Sequence, residues 1–186
     1  MTSLDCVGAV IEALEVVGIE YVVVGALSSN VWGISRSTKD ADIVVQLSPG
    51  VLPRVMEQLS ADFHLERQMQ LETITHSLRN VLTFKPTNFD IELFRLGEDE
   101  HHAERFRRRV LRFIPEIGRD AWVPTAEDVV IQKLRWQRLK DKDDAMNVLA
   151  VQAGQLDMDY IIHWTQQHGT LELLHELMDS FGPEPT

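Results

Sequence analysis

Two aspartates one residue apart, Asp40 and Asp42, stand between Ser37-Thr38-Lys39 and the apolar run Ile43-Val44-Val45. On a strand alternate side chains share a face, so both carboxylates would point one way while Ile43 and Val45 turn to the core. Neighbouring carboxylates repel each other unless a cation lies between them. An oxygen-only pair suits Mg²⁺, which keeps waters and takes substrate phosphates as further ligands. Upstream, the run Tyr21-Val22-Val23-Val24 stops at Gly25 and gives way to small residues, among them Ala26, Ser28 and Ser29. That pattern predicts a buried strand with a sharp exit into a helix whose first N–H groups can approach an anion closely. A phosphate cradle joined to a two-carboxylate strand is the chemistry of a Mg–nucleotide site. The plain alternative is a turn with solvated aspartates.

The remaining elements must position these groups. Residues 3–17 read as a helix capped by Thr2 or Ser3 and ended by Gly18, followed by a strand at 20–24 and a short helix at 26–33. The carboxylate strand spans 41–46, and Ser48-Pro49 starts a helix to about Leu59. Residues 61–77 read as a strand and then a helix or loop. Asn80–Phe84 and Asn88–Phe94 form a hairpin across Lys85-Pro86-Thr87. In its second strand Phe89, Ile91 and Leu93 share one face, so Asp90, Glu92 and Phe94 share the other and offer two more carboxylates.

Farther along, Glu98–Glu104 is acidic and Arg105–Arg109, with Arg112, is basic. That order complements a helix dipole, or else forms a docking patch for phosphates. Val110–Ile114 and Ala121–Val123 add short strands. Thr125 caps a helix from Glu127 to about Lys140, with Lys133, Gln137 and Lys140 on one stripe. Lys133 is either a mobile point charge for a triphosphate or a solvated surface lysine. Helices follow at about 141–153, 157–168 and 170–181, broken at Gly154 and Gly169, before a disordered tail at 182–186. His64, His76, His163, His168 and His175 have no metal-ligand spacing.

The chain has 186 residues, 44% hydrophobic and 25% charged, which fits one domain or one domain with a helical appendage. Cys6 is its only cysteine, which excludes an intrachain disulfide and a cysteine zinc site. No run approaches the roughly 18 apolar residues of a membrane span, and the cytoplasm is the default location. A formal charge of −11 argues against bulk nucleic-acid binding, though a metal ion can still supply local positive charge for one nucleotide.

Gly25-Ala26, Gly33, Arg36-x-Thr38 and Asp40-x-Asp42 together resemble the signature of the nucleotidyltransferase superfamily, the DNA polymerase β-like fold. The resemblance is to its small bacterial branch of minimal and abortive-infection-type nucleotidyltransferases. Ile91-Glu92-Leu93-Phe94 is similar to the strand that carries that branch's third metal ligand, with Asp90 as the rival to Glu92. Lys133-Leu134-Arg135-Trp136 with Asp143-Asp144 is similar to its helical segment. One departure is Gly25-Ala26 where the family has Gly-Gly or Gly-Ser, so a phosphate-facing hydroxyl is missing or comes from Ser28 or Ser29. Another is Glu92 where an aspartate is usual.

The resemblance implies an α/β fold: a small mixed sheet flanked by helices in a catalytic domain over 1–123, with a C-terminal helical bundle over 124–181 packed on it. It implies transfer of a nucleoside monophosphate from a Mg–NTP to an acceptor hydroxyl. Two Mg²⁺ ions, about 3.5–4 Å apart, would be held by Asp40, Asp42 and Glu92. Gly25, Ala26 and Ser28 would hold the leaving pyrophosphate, with Arg36 and Lys133 neutralising its charge. The acceptor, whether a small molecule, a protein side chain or a tRNA end, is left open, as is a homodimer. Two other readings stand beside the enzyme: a degenerate nucleotide-binding, antitoxin-like module, and a protein-interaction adaptor.

Overall fold

A computed structural model describes residues 4–48, 50–72 and 77–180. Its first helix, α1 (Asp5–Val17), buries Val7, Val10, Ile11 and Leu14 at helical spacing. Gly18 closes it in the left-handed region (φ 80), where a side chain would be strained, and donates to the Leu14 and Glu15 carbonyls. The β-branched run then forms β1 (Tyr21–Val24), which passes directly into α2 (Gly25–Trp32) and on to β2 (Asp40–Val45).

The main sheet adds β3 (Phe63–Leu65), β4 (Gln70–Leu71), β5 (Leu78–Phe84) and β6 (Phe89–Arg95). Its order is β1-β2-β6-β5-β3, with β4 also on β5. The sheet is mixed because β2 and β6 run parallel while the other pairs are antiparallel. After the sheet come α4 (Glu100–Arg108), which follows the short α3 (Leu52–Met56) in helix order, and a hairpin of β7 (Val110–Ile114) and β8 (Arg119–Val123). Four helices finish the described chain: α5 (Ala126–Trp136), α6 (Leu139–Val151), α7 (Met158–His168) and α8 (Leu171–Asp179).

Three apolar clusters hold these layers. The largest joins α1 to one face of the sheet through Ala41, Ile43, Val45, Ile91 and Leu93. A second lies within α5–α8, around Val130, Leu134, Val148 and Ile161. Trp32 packs against both, and its indole N–H donates to the Pro124 carbonyl at 2.9 Å. A small third cluster, Val22, Val44 and Phe94 under Phe106 of α4, covers part of the opposite sheet face. That is the face to which Asp40 and Asp42 belong.

The α/β architecture matches the expectation, with three local differences. The helix expected from Ser48 to Leu59 is the single turn-and-a-half α3, whose first turn holds Pro53; Pro49 lies outside the described residues. Described residues between 61 and 77 contain β3 and β4 and no helix, and His76 lies outside them. The helix expected through Lys140 ends at Trp136, because Gln137 adopts a left-handed backbone (φ 56) and donates to the Lys133 carbonyl. Lys133 and Lys140 therefore sit on different helices, not on one stripe. The cap expected at Thr2 or Ser3 and the tail at 182–186 fall outside the described residues. Among those residues no helix is long and apolar enough to cross a membrane.

Candidate functional site

Strand register builds the site. Asp42 stands opposite Val24 on β1 and opposite Glu92 on β6, while Asp40 stands opposite Asp90. All four carboxylates thus occupy one sheet face. Because β1 turns straight into α2, the helix begins beside Asp42. Gly25 is at φ 65, and a Cβ there would collide with the Asp42 carboxylate. Only glycine lets the backbone come this close.

The carboxylates differ in how their charge is met. Asp40 accepts from the Thr38 hydroxyl at 2.9 Å, and Asp90 accepts from Thr83 at 2.7 Å. Glu92 is ion-paired with Arg79 on β5, which also binds Gln70 at 2.9 Å. Burial, with repulsion from Asp40, still holds the Glu92 carboxyl above its ordinary value despite Arg79. Among the described residues Asp42 has no such partner. Burial first, and then Asp40 and Glu92, pushes its pKa up to about 7. A neutral or half-charged Asp42 marks a carboxylate group short of positive charge, and an oxygen-only donor set of this kind fits Mg²⁺.

An open cleft of about 460 Å³ lies over this face. Gly25, Ala26, Asp40, Asp42 and Glu92 line it on the sheet side, and Arg36, Lys133, Trp136, Arg138 and Lys140 face them. Three of the cations belong to one network. Arg36 holds Asp144 through two bonds, 2.7 and 2.8 Å. Lys133, only 7% exposed, lies between Asp144 (2.6 Å) and Asp141 (3.2 Å), and Arg138 closes on Asp141 at 2.5 and 3.1 Å. Burial opposes ionisation of both aspartates, but Arg36 and Lys133 at Asp144, and Arg138 and Lys133 at Asp141, hold them below the usual carboxylate range. Lys133 is therefore anchored, not the mobile charge pictured from the sequence.

The structure brings Gly25, Ala26, Arg36, Asp40, Asp42, Glu92 and Lys133 to one cleft and leaves Ser28 out. Its hydroxyl is buried and donates to the Gly25 carbonyl at 3.0 Å, as does that of Ser29. A phosphate-facing Ser28 hydroxyl is thus not what this arrangement holds. A serine just inside a helix readily turns back onto its own backbone. Asp90 lies on the carboxylate face but does not line the cleft.

Sequence reasoning missed Arg79, Arg138 and Asp141. Arg79 was in reach: with Phe84 opposite Phe89, the hairpin register puts Arg79 opposite Phe94 and diagonal to Glu92. Arg138 carried no signal while its helix was expected to run on to about Lys140, and Asp141 was read only as the start of the next helix. Of the Asp143-Asp144 pair, Asp144 is buried in the network and Asp143 is exposed.

No protein-family profile matches the chain, and no curated protein matches it by sequence. Solved structures do match in shape. The chain superposes on ANT(2'')-Ia in complex with adenylyl-2''-tobramycin with a TM-score of 0.61 at 8% identity, over 91% of this chain and 98% of that one. The solution structure of the antibiotic-resistance factor ANT(2'')-Ia gives 0.60 at 9% identity, over 93% and 96%. An antigenic nucleotidyltransferase-like protein from Paracoccidioides brasiliensis gives 0.54 at 15% identity, over 95% and 92%. At such identities the likeness speaks to shape, and the shape is plain: this chain has the nucleotidyltransferase fold.

Proposed function

We propose that the chain moves a nucleoside monophosphate from a Mg–NTP to an acceptor hydroxyl. The bond from the acceptor oxygen to the α-phosphorus forms, the α–β phosphoanhydride bond breaks, the hydroxyl proton leaves and pyrophosphate is released. One observation carries this reading. Asp40, Asp42 and Glu92, from two paired parallel strands, share a face beside a glycine-led helix start, and there burial, Asp40 and Glu92 outweigh the pull of Lys133 and Arg138 on Asp42.

Asp40, Asp42 and Glu92 would hold the divalent ions, which supply activation of the hydroxyl and stabilisation of the leaving pyrophosphate. Thr38 orients Asp40, and Arg79 orients Glu92. The first N–H groups of α2, at Gly25 and Ala26, point where helix polarity favours phosphate oxygens. The Arg36–Asp144–Lys133–Asp141–Arg138 network forms the opposite wall and has three cations against two carboxylates, so it presents net positive charge without moving. Asp42, which carries its proton about half the time near neutrality, would give up that proton on binding a cation, which makes binding stronger as pH rises through about 7.

A binding module of the same fold without turnover is the second reading. It is favoured by the turned-away Ser28 hydroxyl and by the pairing of Glu92 with Arg79. Incubation with each α-labelled NTP, Mg²⁺ and cell extract separates the two. Labelled product and pyrophosphate release, both absent in Asp40→Ala, are expected. Mg-dependent NTP binding with no label transfer to anything in the extract would leave the binding module, and identical NTP affinity in wild type and Asp40→Ala would refute the site itself.

A further inference from the structure

A second cavity, open to solvent and of about 570 Å³ with its mouth included, adjoins the cleft and shares Gly25, Asp42, Lys133, Trp136 and Arg138 with it. Its walls are mostly apolar, with Val24, Val44 and Phe94 among them. Its polar atoms are a different matter. Among the described residues eleven buried side-chain nitrogens and oxygens have no hydrogen-bond partner, and four of them belong to residues lining this one cavity: Arg95 Nε, Arg105 Nε, Gln132 Oε1 and Trp136 Nε1. Buried polar groups are normally satisfied, so a concentration of unanswered ones around a cavity points to a ligand that answers them.

Arg105 is the strongest of the four. It is 5% exposed, and burial pushes its pKa down to about 10. The carboxylates nearest in effect, Asp99 and Asp128, are already engaged, the first by Arg135 and the second by His101 and Arg108. A buried guanidinium without a carboxylate of its own is costly until an anion arrives.

The charges choose the class of ligand. Arg95, Arg105, Lys133 and Arg138 line the cavity against two carboxylates, Asp42 and Asp141, and Asp141 is already held by Lys133 and Arg138. Three of the unanswered atoms are donors and one is an acceptor. Such a lining repels a polycation and suits an oxygen-rich anion. The α2 start already provides for the triphosphate in the cleft, and the cavity meets that cleft at Asp42.

We infer that this cavity is the acceptor subsite, taking a small hydroxyl compound that bears an oxyanion, carboxylate or phosphate, bound by Arg105 and Arg95. The acceptor role rests on the transferase reading above. The oxyanion role does not.

Calorimetry on the whole chain, without Mg²⁺ or NTP, tests it with glycerol 3-phosphate, inorganic phosphate and malate as probes, and spermidine and glycerol as controls. Binding of at least one oxyanion is expected, weakened tenfold or more in Arg105→Gln, with Mg–ATP affinity unchanged. Phosphate-only or malate-only binding supports the site and identifies the source of the oxyanion. No oxyanion binding, equal binding in Arg105→Gln, or tighter spermidine binding overturns it. A parallel loss of Mg–ATP affinity in Arg105→Gln would assign the cavity to the nucleotide instead and overturn the acceptor role. Should Arg105→Gln not fold, Gln132→Glu places a carboxylate in the same cavity, and undiminished oxyanion binding there is equally fatal. If wild type binds oxyanions through Arg105 yet never binds Mg–ATP, the transferase reading and the acceptor role fall together and the oxyanion site stands.

Discussion

The carboxylate cleft and the cavity beside it share five residues but treat charge in opposite ways. In the cleft almost every ion is answered from within the chain: Arg36, Lys133 and Arg138 by Asp141 and Asp144, Glu92 by Arg79, Asp40 by the Thr38 hydroxyl. Asp42 is left over. In the cavity the reverse holds, and four buried polar atoms wait without partners. Internally paired charges keep a rigid shape with nothing bound, at the expense of leaving fewer groups free to meet a substrate. Unpaired ones are uncomfortable when empty and selective when filled. On the proposed reading, a preformed frame for a cation–phosphate unit stands next to a site whose unpaired donors suit an oxyanion.

The sharpest way to break this contrast is at Asp42, the cleft carboxylate with no hydrogen-bond or ion-pair partner among the described residues. Asp42→Asn removes the charge with little change of shape, and transfer to an acceptor is expected to fall by about 10³-fold or more, comparable to losing a key transition-state contact. Because Asp42 is destabilised as an anion by burial, Asp40 and Glu92, the variant should fold at least as stably as wild type at neutral pH. Label transfer and urea melts measured together check both halves. Lys133→Met acts on the answered charges. It leaves Asp141 and Asp144 with Arg138 and Arg36 alone, so a loss of about 2–3 kcal/mol is expected, below the full cost of orphaning a buried ion. Unchanged stability would mean that the network is not the frame described above.

How legible was this in the chain alone? Asp40-x-Asp42 and the β-branched run before Gly25 carry their own periodicity, so the carboxylate face and the strand-to-helix turn could be read directly. The hairpin placed Glu92 on the correct face for the same reason. What could not be read was pairing over distance. Arg105–Arg109 looks like one basic patch, yet the fold scatters it: Arg107 pairs with Glu104, Arg108 stacks on Tyr160 near Asp128, Arg109 reaches Glu20, and only Arg105 lines the cavity. Helical spacing sends consecutive side chains in different directions, and partners such as Glu20 and Asp128 come from far along the chain. Lys133 failed in the opposite way. A helix lysine reads as solvated or ligand-bound, and nothing local announced that Gln137 would break the helix and fold Asp141 and Asp144 back onto it.

A smaller expected effect tests the geometry of the turn. Gly25→Ala forces a Cβ against the Asp42 carboxylate on a backbone at φ 65. A left-handed non-glycine residue costs about 1–3 kcal/mol, and the carboxylate must shift as well. Stability should drop by about 1–2 kcal/mol, with transfer reduced by more than stability explains, because a displacement of the proposed metal ligand is felt in the chemistry. Equal activity with reduced stability would show that Asp42 need not sit against the helix start.

The smallest effect concerns the rear of the cavity, where His102 is buried beside Arg105. Burial, and then Arg105, push its pKa down to about 3, against the opposing pull of Asp99, with Arg135 and His101 also acting on it. The unfolded chain binds a proton at His102 near pH 6.5, while the folded chain resists doing so until far lower pH. Between those values the unfolded state holds more protons, so stability rises with pH and is lost as pH falls from about 6.5 toward 3. A single such group contributes a slope of about 1.4 kcal/mol per pH unit in that window, and none above it. His101 and His168, both with lowered pKa values through burial, add to the same limb. His102→Gln should therefore flatten, without abolishing, the fall in melting temperature between pH 7 and 5. Glycerol 3-phosphate should flatten the same fall in wild type, because an anion at Arg105 removes the repulsion that Arg105 adds to the larger effect of burial at His102.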